Sequence, residues 1–313
     1  MAVRTAFVFG GGGVLGATQV GMLRALLAHG VLPDVVVGSS VGAVNGAMLA
    51  TDPSMATVQQ LQELWTSLSR SGVFADSVVS QVARLAQQRT HLHSSLPLRK
   101  LLEQHLPVER IEELPVRFEC VAASIERCVA HWFSEGSVID AVVASCAVPG
   151  LFPPARIGDE HFYDGGLVHS IPVGRAAQLG AQRIYVLQVG RIEHALRPPR
   201  WPWEVGLVAF EIARRNRFVE EMAMLSPQLQ VHLLPSGEPD TRPLNVRYRD
   251  VRRVGARIER AYDATARYLA AADGDDRDDA DGRNHDDADG RNRDDPGGRN
   301  RDDAGGGFRE DAE

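Results

Sequence analysis

Two hydrophobic periods alternate along this chain. Short unbroken apolar runs at 4–9 ("RTAFVF"), 34–38 ("DVVVG") and 181–190 ("AQRIYVLQVG") read as strands buried on both faces. Between the first two, residues 16–30 place Val20, Leu23, Leu26 and Leu27 at helical spacing and stop at Gly30. The small residues of "SSVGAVNGAMLA" suit a helix packed tightly on a sheet. Residues 54–106 read as helical throughout, with Val78, Val79, Val82, Leu85 and Ala86 on one apolar face and Leu98, Leu101, Leu102 and Leu106 on another. "VRFECVAA" and "CVAHWFSEG" read as two strands joined at "SIER". A helix capped by Ser137 ends at Pro149, and "HFYDGGLVHSIPV" carries strand residues into an Asp-Gly-Gly turn. Helices over 203–225 and 246–272 complete the patterned part.

Strands alternating with helices predict a three-layer α/β domain around a mostly parallel sheet, with no strong internal boundary before residue 273. The chain has 313 residues, enough for a sizeable core. From Asp273 onward the pattern stops. An octapeptide repeat follows ("DDADGRNH", "DDADGRNR", "DDPGGRNR", "DDAGGGFR") with almost nothing apolar to bury, which predicts disorder over 273–313. This tail holds 16 acidic and 7 basic residues and leaves 25 acidic and 27 basic in the first 272, so the folded body is near neutral, at about +2. A near-neutral body gives no support to nucleic-acid binding.

Metal sites find little support either. Counting back from Gly282 and Gly290 puts Arg277 and His285 where a calcium loop needs its first oxygen ligand. His91 with His93, and Cys120 with Cys128, fall short of four-ligand zinc spacing. Three cysteines in apolar surroundings and the lack of a charged, apolar leader before the first strand point to a cytoplasmic protein. No stretch approaches the ~18 apolar residues of a spanning helix, so membrane contact is expected to be peripheral.

The candidate chemistry lies at two turns. Gly38, Ser39, Ser40, Val41 and Gly42 spell G-x-S-x-G between a strand and a helix, the context of a nucleophile elbow that pushes Ser40 out at a helix N-terminus. "GGGGVLG" (10–16) also follows a strand, and bare glycine amides there suit a developing oxyanion. Gly11, Gly13 and Gly16 also fit the dinucleotide pattern G-x-G-x-x-G, but the second strand ends in Gly38 and Ser39, where a ribose would need an acid. The order of an α/β-hydrolase is disfavoured, because only one β-α unit precedes Ser40. For a base, Asp164 in "YDGG" stands out, flanked by His161 and His169. A surface Asp-Gly turn is the plainer reading of the same residues.

Taken in order, "GGGGVLG", "GSSVG", "ASCAVPGLFPP" and "DGG" resemble a patatin-like phospholipase over about residues 5–190. The resemblance implies a three-layer α/β/α patatin-like fold and a Ser-Asp dyad, with Ser40 as nucleophile and Asp164 as general base. It implies an oxyanion hole from the amides of Gly11, Gly12 and Gly13, with Gly16, Gly38, Gly42, Gly165 and Gly166 supporting the turns. No metal or organic cofactor is implied. The substrate is expected to be a phospholipid or other acyl lipid, and the alternatives are an acyltransferase or a non-catalytic lipid-binding regulator. On this reading 5–190 is the catalytic domain, 191–272 a helical extension packed on it, and 273–313 the tail. One departure is Leu15, where members of the family usually carry Arg or Lys. Its apolar side chain removes a fixed charge and bears on preference for anionic headgroups. Trp201 and Trp203 with Arg200, Arg214, Arg215 and Arg217 would suit a bilayer surface. The favoured reading is a core helix with its arginines on the solvated face.

Overall fold

Strand β1 (Thr5–Phe9) is buried at every position and serves two cores at once. Phe7 and Phe9 point into one, Ala6 and Val8 into the other, as the period of two requires. The computed structural model describes residues 4–70, 93–189, 195–196, 198–199, 202–237 and 254–282. Residues 1–271 form one compact unit and 272–313 a second.

Along the chain β1 is followed by a short 3₁₀ turn (Gly13–Gly16), α1 (Ala17–Ala28), β2 (Val35–Ser39), α2 (Val41–Thr51) and α3 (Met55–Arg70). Then come α4 (Leu96–His105), β3 (Arg117–Ser124), β4 (Val129–Phe133), α5 (Val138–Ser145), β5 (Ala155–Ile157) and β6 (Glu160–Asp164). A 3₁₀ turn (Gly165–Leu167), α6 (Val173–Gln178), β7 (Arg183–Leu187), α7 (Pro202–Ala223), β8 (Gln230–Leu233) and α8 (Val254–Gly282) complete the order. The sheet runs β5-β6-β3-β2-β1-β7-β8, with β4 paired to β3. Its centre, from β3 to β8, is parallel, whereas β4, β5 and β6 are antiparallel. Residues from α1, α2, α3, α5 and α8 cover one face, and α6 with Phe218 of α7 covers the other, which gives three layers.

The pairing around β3 decides where the chemistry falls. β2 pairs with its first half and β6 with its second, and β4 overlaps both, so β2 and β6 share one edge while β4 takes the other. β2 runs parallel and ends at Ser39 opposite Val121, whereas β6 runs antiparallel and ends at Asp164 opposite Ala122. The carboxyl ends of two strands 125 residues apart in sequence therefore meet end to end.

Several details differ from the sequence reading. The three-residue β5 has no pattern to announce it. The segment expected to be helical after 190 also supplies β8, parallel to β7. Helix α8 runs to Gly282, ten residues into the stretch expected to be disordered, because extending an established helix costs far less than nucleating one. Residues 283–313 lie outside the described residues, as do Val78, Val79, Val82, Leu85 and Ala86 of the expected helix. Among the described residues no helix is long and apolar enough to cross a membrane.

Candidate functional site

Ser40 occupies the N-cap of α2 with φ 54° and ψ −129°. An L-residue in such a region costs about 1–3 kcal/mol and persists only where its surroundings impose it. They do so here by close packing. A β-carbon on Gly42 would lie 2.2 Å from the Phe9 carbonyl oxygen, and one on Gly38 would lie 2.7 Å from Ala43 Cα. The chain can turn this tightly only because both positions are glycine. The strained serine is further held by its own backbone: its N–H donates to Ser145 Oγ at 2.9 Å, and its carbonyl accepts from the Ala43 N–H at 2.8 Å.

Asp164 lies where the strand pairing puts it, 1 % exposed and at the N-cap of the turn Gly165–Leu167. Its backbone N–H donates to the Ala147 carbonyl at 2.9 Å, and its Oδ1 accepts from the Gly166 N–H at 2.7 Å. Oδ2 is buried without a partner of hydrogen-bonding geometry. Gly165 lets the turn press against β3, since a β-carbon there would be 2.2 Å from the Val121 carbonyl oxygen. Burial pushes the Asp164 carboxyl up to about 6, and the neighbouring Ser40 hydroxyl and the Gly166 N–H hold back a larger rise. Ser40 thus acts on this carboxyl from close by, although their contact falls short of a formed bond.

The glycine loop lies against the same serine. A β-carbon on Gly11 would stand 3.2 Å from Ser40 Cβ. The donors expected there are not all free. The Gly11 N–H donates to the Ser170 carbonyl at 2.8 Å, which removes it from the predicted oxyanion set. Loop residues were expected to aim successive amides at one point, but a strand end must first satisfy its own backbone, and Ser170 does this for Gly11. Gly12 and Gly13 remain: among the described residues neither N–H has an acceptor. Gly13 adopts φ 57°. Gly16, at the end of the loop, packs under Trp65, whose ring would be 2.6 Å from a β-carbon there.

A buried polar chain holds this loop from behind. Gln19 Nε2 donates to the carbonyls of Gly10 (2.7 Å) and Leu187 (2.9 Å). Asn45 Nδ2 donates to Gln19 Oε1 (2.7 Å) and the Gly16 carbonyl (3.0 Å), and Trp65 Nε1 donates to Asn45 Oδ1 (3.0 Å). Three helices and the carboxyl ends of two strands are so tied to one loop, and a fully satisfied network of this kind rigidifies. None of Gln19, Asn45, Trp65 or Ser145 stands out in the sequence, because their partners are distant or are backbone atoms.

The histidines beside Asp164 are engaged elsewhere. His161 Nδ1 pairs with Glu126 at 2.7 Å on the surface, and His169 Nδ1 pairs with Glu221 at 2.5 Å with its ring against Trp132. Cys146 does not compete as a nucleophile, because burial, reinforced by the Asp164 charge, keeps its thiol protonated. Among the described residues no cluster of His, Cys, Asp and Glu could hold a metal ion.

Two of the α7 arginines depart from the sequence reading, whereas the Arg217 side chain is half exposed as expected. Arg214 and Arg215 are 9 % and 14 % exposed and share Glu211, so they do not line a solvated face. The exposed side of the helix also carries Val205, Ile212 and Val219, one heptad apart and each more than half exposed. Arg200 and Trp201, and the side chain of Trp203, lie outside the described residues.

A doubly covered sheet with a strained serine after its second strand, a glycine loop after its first and a buried aspartate returning late defines a class. The chain belongs to the patatin-like phospholipase family, which matches residues 7–177, more than half of its length. It is 28 % identical over 187 residues to patatin-like phospholipase domain-containing protein 7 of Rattus norvegicus, covering 59 % of this chain and 13 % of that protein. It is 30 % identical over 190 residues to lysophospholipase nte1 of Aspergillus terreus, covering 59 % and 12 %. The chain therefore spans only about an eighth of the length of these relatives. Among solved structures, VipD from Legionella pneumophila covers 86 % of this chain and 67 % of its own at 15 % identity, with a TM-score of 0.42.

Proposed function

We propose that this chain is a serine acyl hydrolase that cleaves the carboxylic ester of a phospholipid or lysophospholipid. The observation that carries the reading is a strained Ser40 beside a buried Asp164 whose proton affinity is raised to about 6. A carboxylate of ordinary pKa is a poor base for a hydroxyl, and one tuned upward is a better one while still ionised at neutral pH. Membership of the family and similarity to a fungal lysophospholipase support the lipid substrate.

In this scheme Ser40 Oγ attacks the acyl carbonyl carbon as its proton passes to Asp164 Oδ2, the oxygen without another partner. The negative charge on the carbonyl oxygen meets the N–H groups of Gly12 and Gly13, with the N-terminus of α2 adding its partial positive charge. Collapse of the intermediate breaks the bond to the alcohol, which leaves with the proton held by Asp164. An acyl ester on Ser40 remains. Water then attacks it while Asp164 accepts the water proton and returns one to Ser40 Oγ, releasing the fatty acid. No step calls on a metal or an organic cofactor.

Incubation with a mixture of phospholipids and lysophospholipids, with and without an added alcohol acceptor, tests the reading. It predicts free fatty acid from the wild type and none from Ser40→Ala. Acyl transfer to the acceptor without net hydrolysis would make the protein an acyltransferase. A folded wild type that releases nothing from any acyl lipid would leave it a binder.

A further inference from the structure

The peptide units of the glycine loop differ in how their ends are held. In the Gly10–Gly11 unit both ends are occupied, the carbonyl by Gln19 Nε2 and the N–H by the Ser170 carbonyl. In the Gly12–Gly13 unit the carbonyl accepts from the Leu15 N–H at 3.2 Å, and the N–H has no described acceptor. Between them lies the Gly11–Gly12 unit. Its N–H also has no described acceptor, and its carbonyl faces Arg214, a residue of α7 that is 203 positions away in sequence.

Arg214 Nη1 lies 3.5 Å from the Gly11 oxygen and 3.4 Å from Ser170 Oγ. At those lengths it acts more by charge than as a formed bond. Its Nη2 pairs with Glu211 at 3.1 Å, and its Nε is buried without a partner. Arg215 approaches the same Glu211 at 3.5 Å, so the two guanidinium groups share that carboxylate and the Arg214 cation stands next to the loop. The loop has no cation of its own, because its residue 15 is leucine.

We infer that Arg214 is a positioning residue for the oxyanion-binding amides: it holds and polarises the Gly11–Gly12 peptide so that the Gly12 N–H faces the reacting carbonyl as a stronger donor. A trans peptide points its C=O and N–H in opposite directions, and no cis bond occurs among the described residues. A cation on the carbonyl side therefore fixes the opposite orientation of the N–H. It also withdraws electron density through the amide, which strengthens the donor. The oxyanion exists only in the transition state and the tetrahedral intermediate, so the effect belongs in kcat rather than in KM.

This inference rests on the hydrolase reading, and the test separates the two. Arg214→Met keeps the length of the side chain, and Glu211 remains paired with Arg215. The second-order rate of inactivation by a fluorophosphonate, the labelled fraction at saturation, and kcat and KM on a lysophospholipid are measured together. R214M is expected to lower kcat and the inactivation rate by about tenfold, below the hundredfold or more for loss of a direct oxyanion donor. KM and the fraction finally labelled stay unchanged. Arg214→Lys, which keeps the charge but not the fork, falls between the two. An R214M protein as fast as wild type overturns the inference. So does a loss of rate matched by a loss of labelled fraction, which marks a structural role, or an R214K protein as slow as R214M, which removes the role of charge. A wild type that neither takes the label nor turns over overturns the hydrolase reading, and this inference with it.

Discussion

Ser39 and Asp164 end their strands against consecutive residues of β3, Ser39 opposite Val121 and Asp164 opposite Ala122. One residue of strand is about 3.3 Å. The approach of Ser40 and Asp164 is thus written into the register of the sheet rather than left to a flexible loop. Because β2 is parallel to β3 and β6 antiparallel, both carboxyl ends arrive at the same point on the same edge.

The raised Asp164 pKa sets the pH dependence of activity. A base has to be ionised, so kcat/KM is expected to rise about tenfold per pH unit below 6 and to level off above it. A rate profile on a soluble ester between pH 4.5 and 8.5 checks this. A limb governed by a group titrating above 7 would point away from Asp164.

The same group makes stability fall with pH. Its folded pKa, about 6, lies above the roughly 3.9 of an unfolded chain, so the native state holds the proton more tightly. Below about pH 3 both states are protonated and nothing is lost. Between about 4 and 6 the unfolded chain releases the proton that the native state still holds, and stability falls by about 3 kcal/mol, a loss that stays constant once both states are ionised above 6. Asp164→Asn removes that cost while keeping an oxygen for the Gly166 N–H. It is expected to be more stable than wild type by about 3 kcal/mol at pH 8 and equal to it at pH 3, as read by urea unfolding at both values.

How much of this was legible in the sequence follows from what each contact requires. Gly38, Gly42 and Gly165 touch backbone atoms, so nothing larger fits, and a pattern of glycines around Ser40 and Asp164 shows in the sequence. The continuous apolar runs of β1, β2 and β7 announce a sheet covered on both faces. Arg214, Ser145 and Gln19 leave no such trace. Each is an ordinary helix residue whose importance comes from a partner 203, 105 or 168 positions away. The engagement of the Gly11 amide is hidden for a related reason: the loop sequence does not reveal that the Ser170 carbonyl takes it. The short strands β5 and β8 carry too few residues to show a period.

Ser145 gives a prediction that the sequence alone could not. Its hydroxyl is the acceptor for the Ser40 N–H, and Ser145→Ala leaves that donor buried and unpaired. The expected loss is about 1–3 kcal/mol of stability, measured by urea unfolding. A lower kcat at unchanged KM should accompany it as the strained turn relaxes. An unchanged unfolding midpoint would show that water or another group takes the place of the hydroxyl.

The proposed pairing of Ser40 as nucleophile with Asp164 as the group that activates it can be read chemically. It is tested most directly by mapping a fluorophosphonate adduct by mass spectrometry on wild type, Ser40→Ala and Asp164→Asn. One adduct per chain is expected on Ser40 in the wild type, none in S40A, and labelling of Ser40 in D164N slowed by about a hundredfold or more. An adduct on another residue of the wild type, or D164N labelled as fast as wild type, would contradict it.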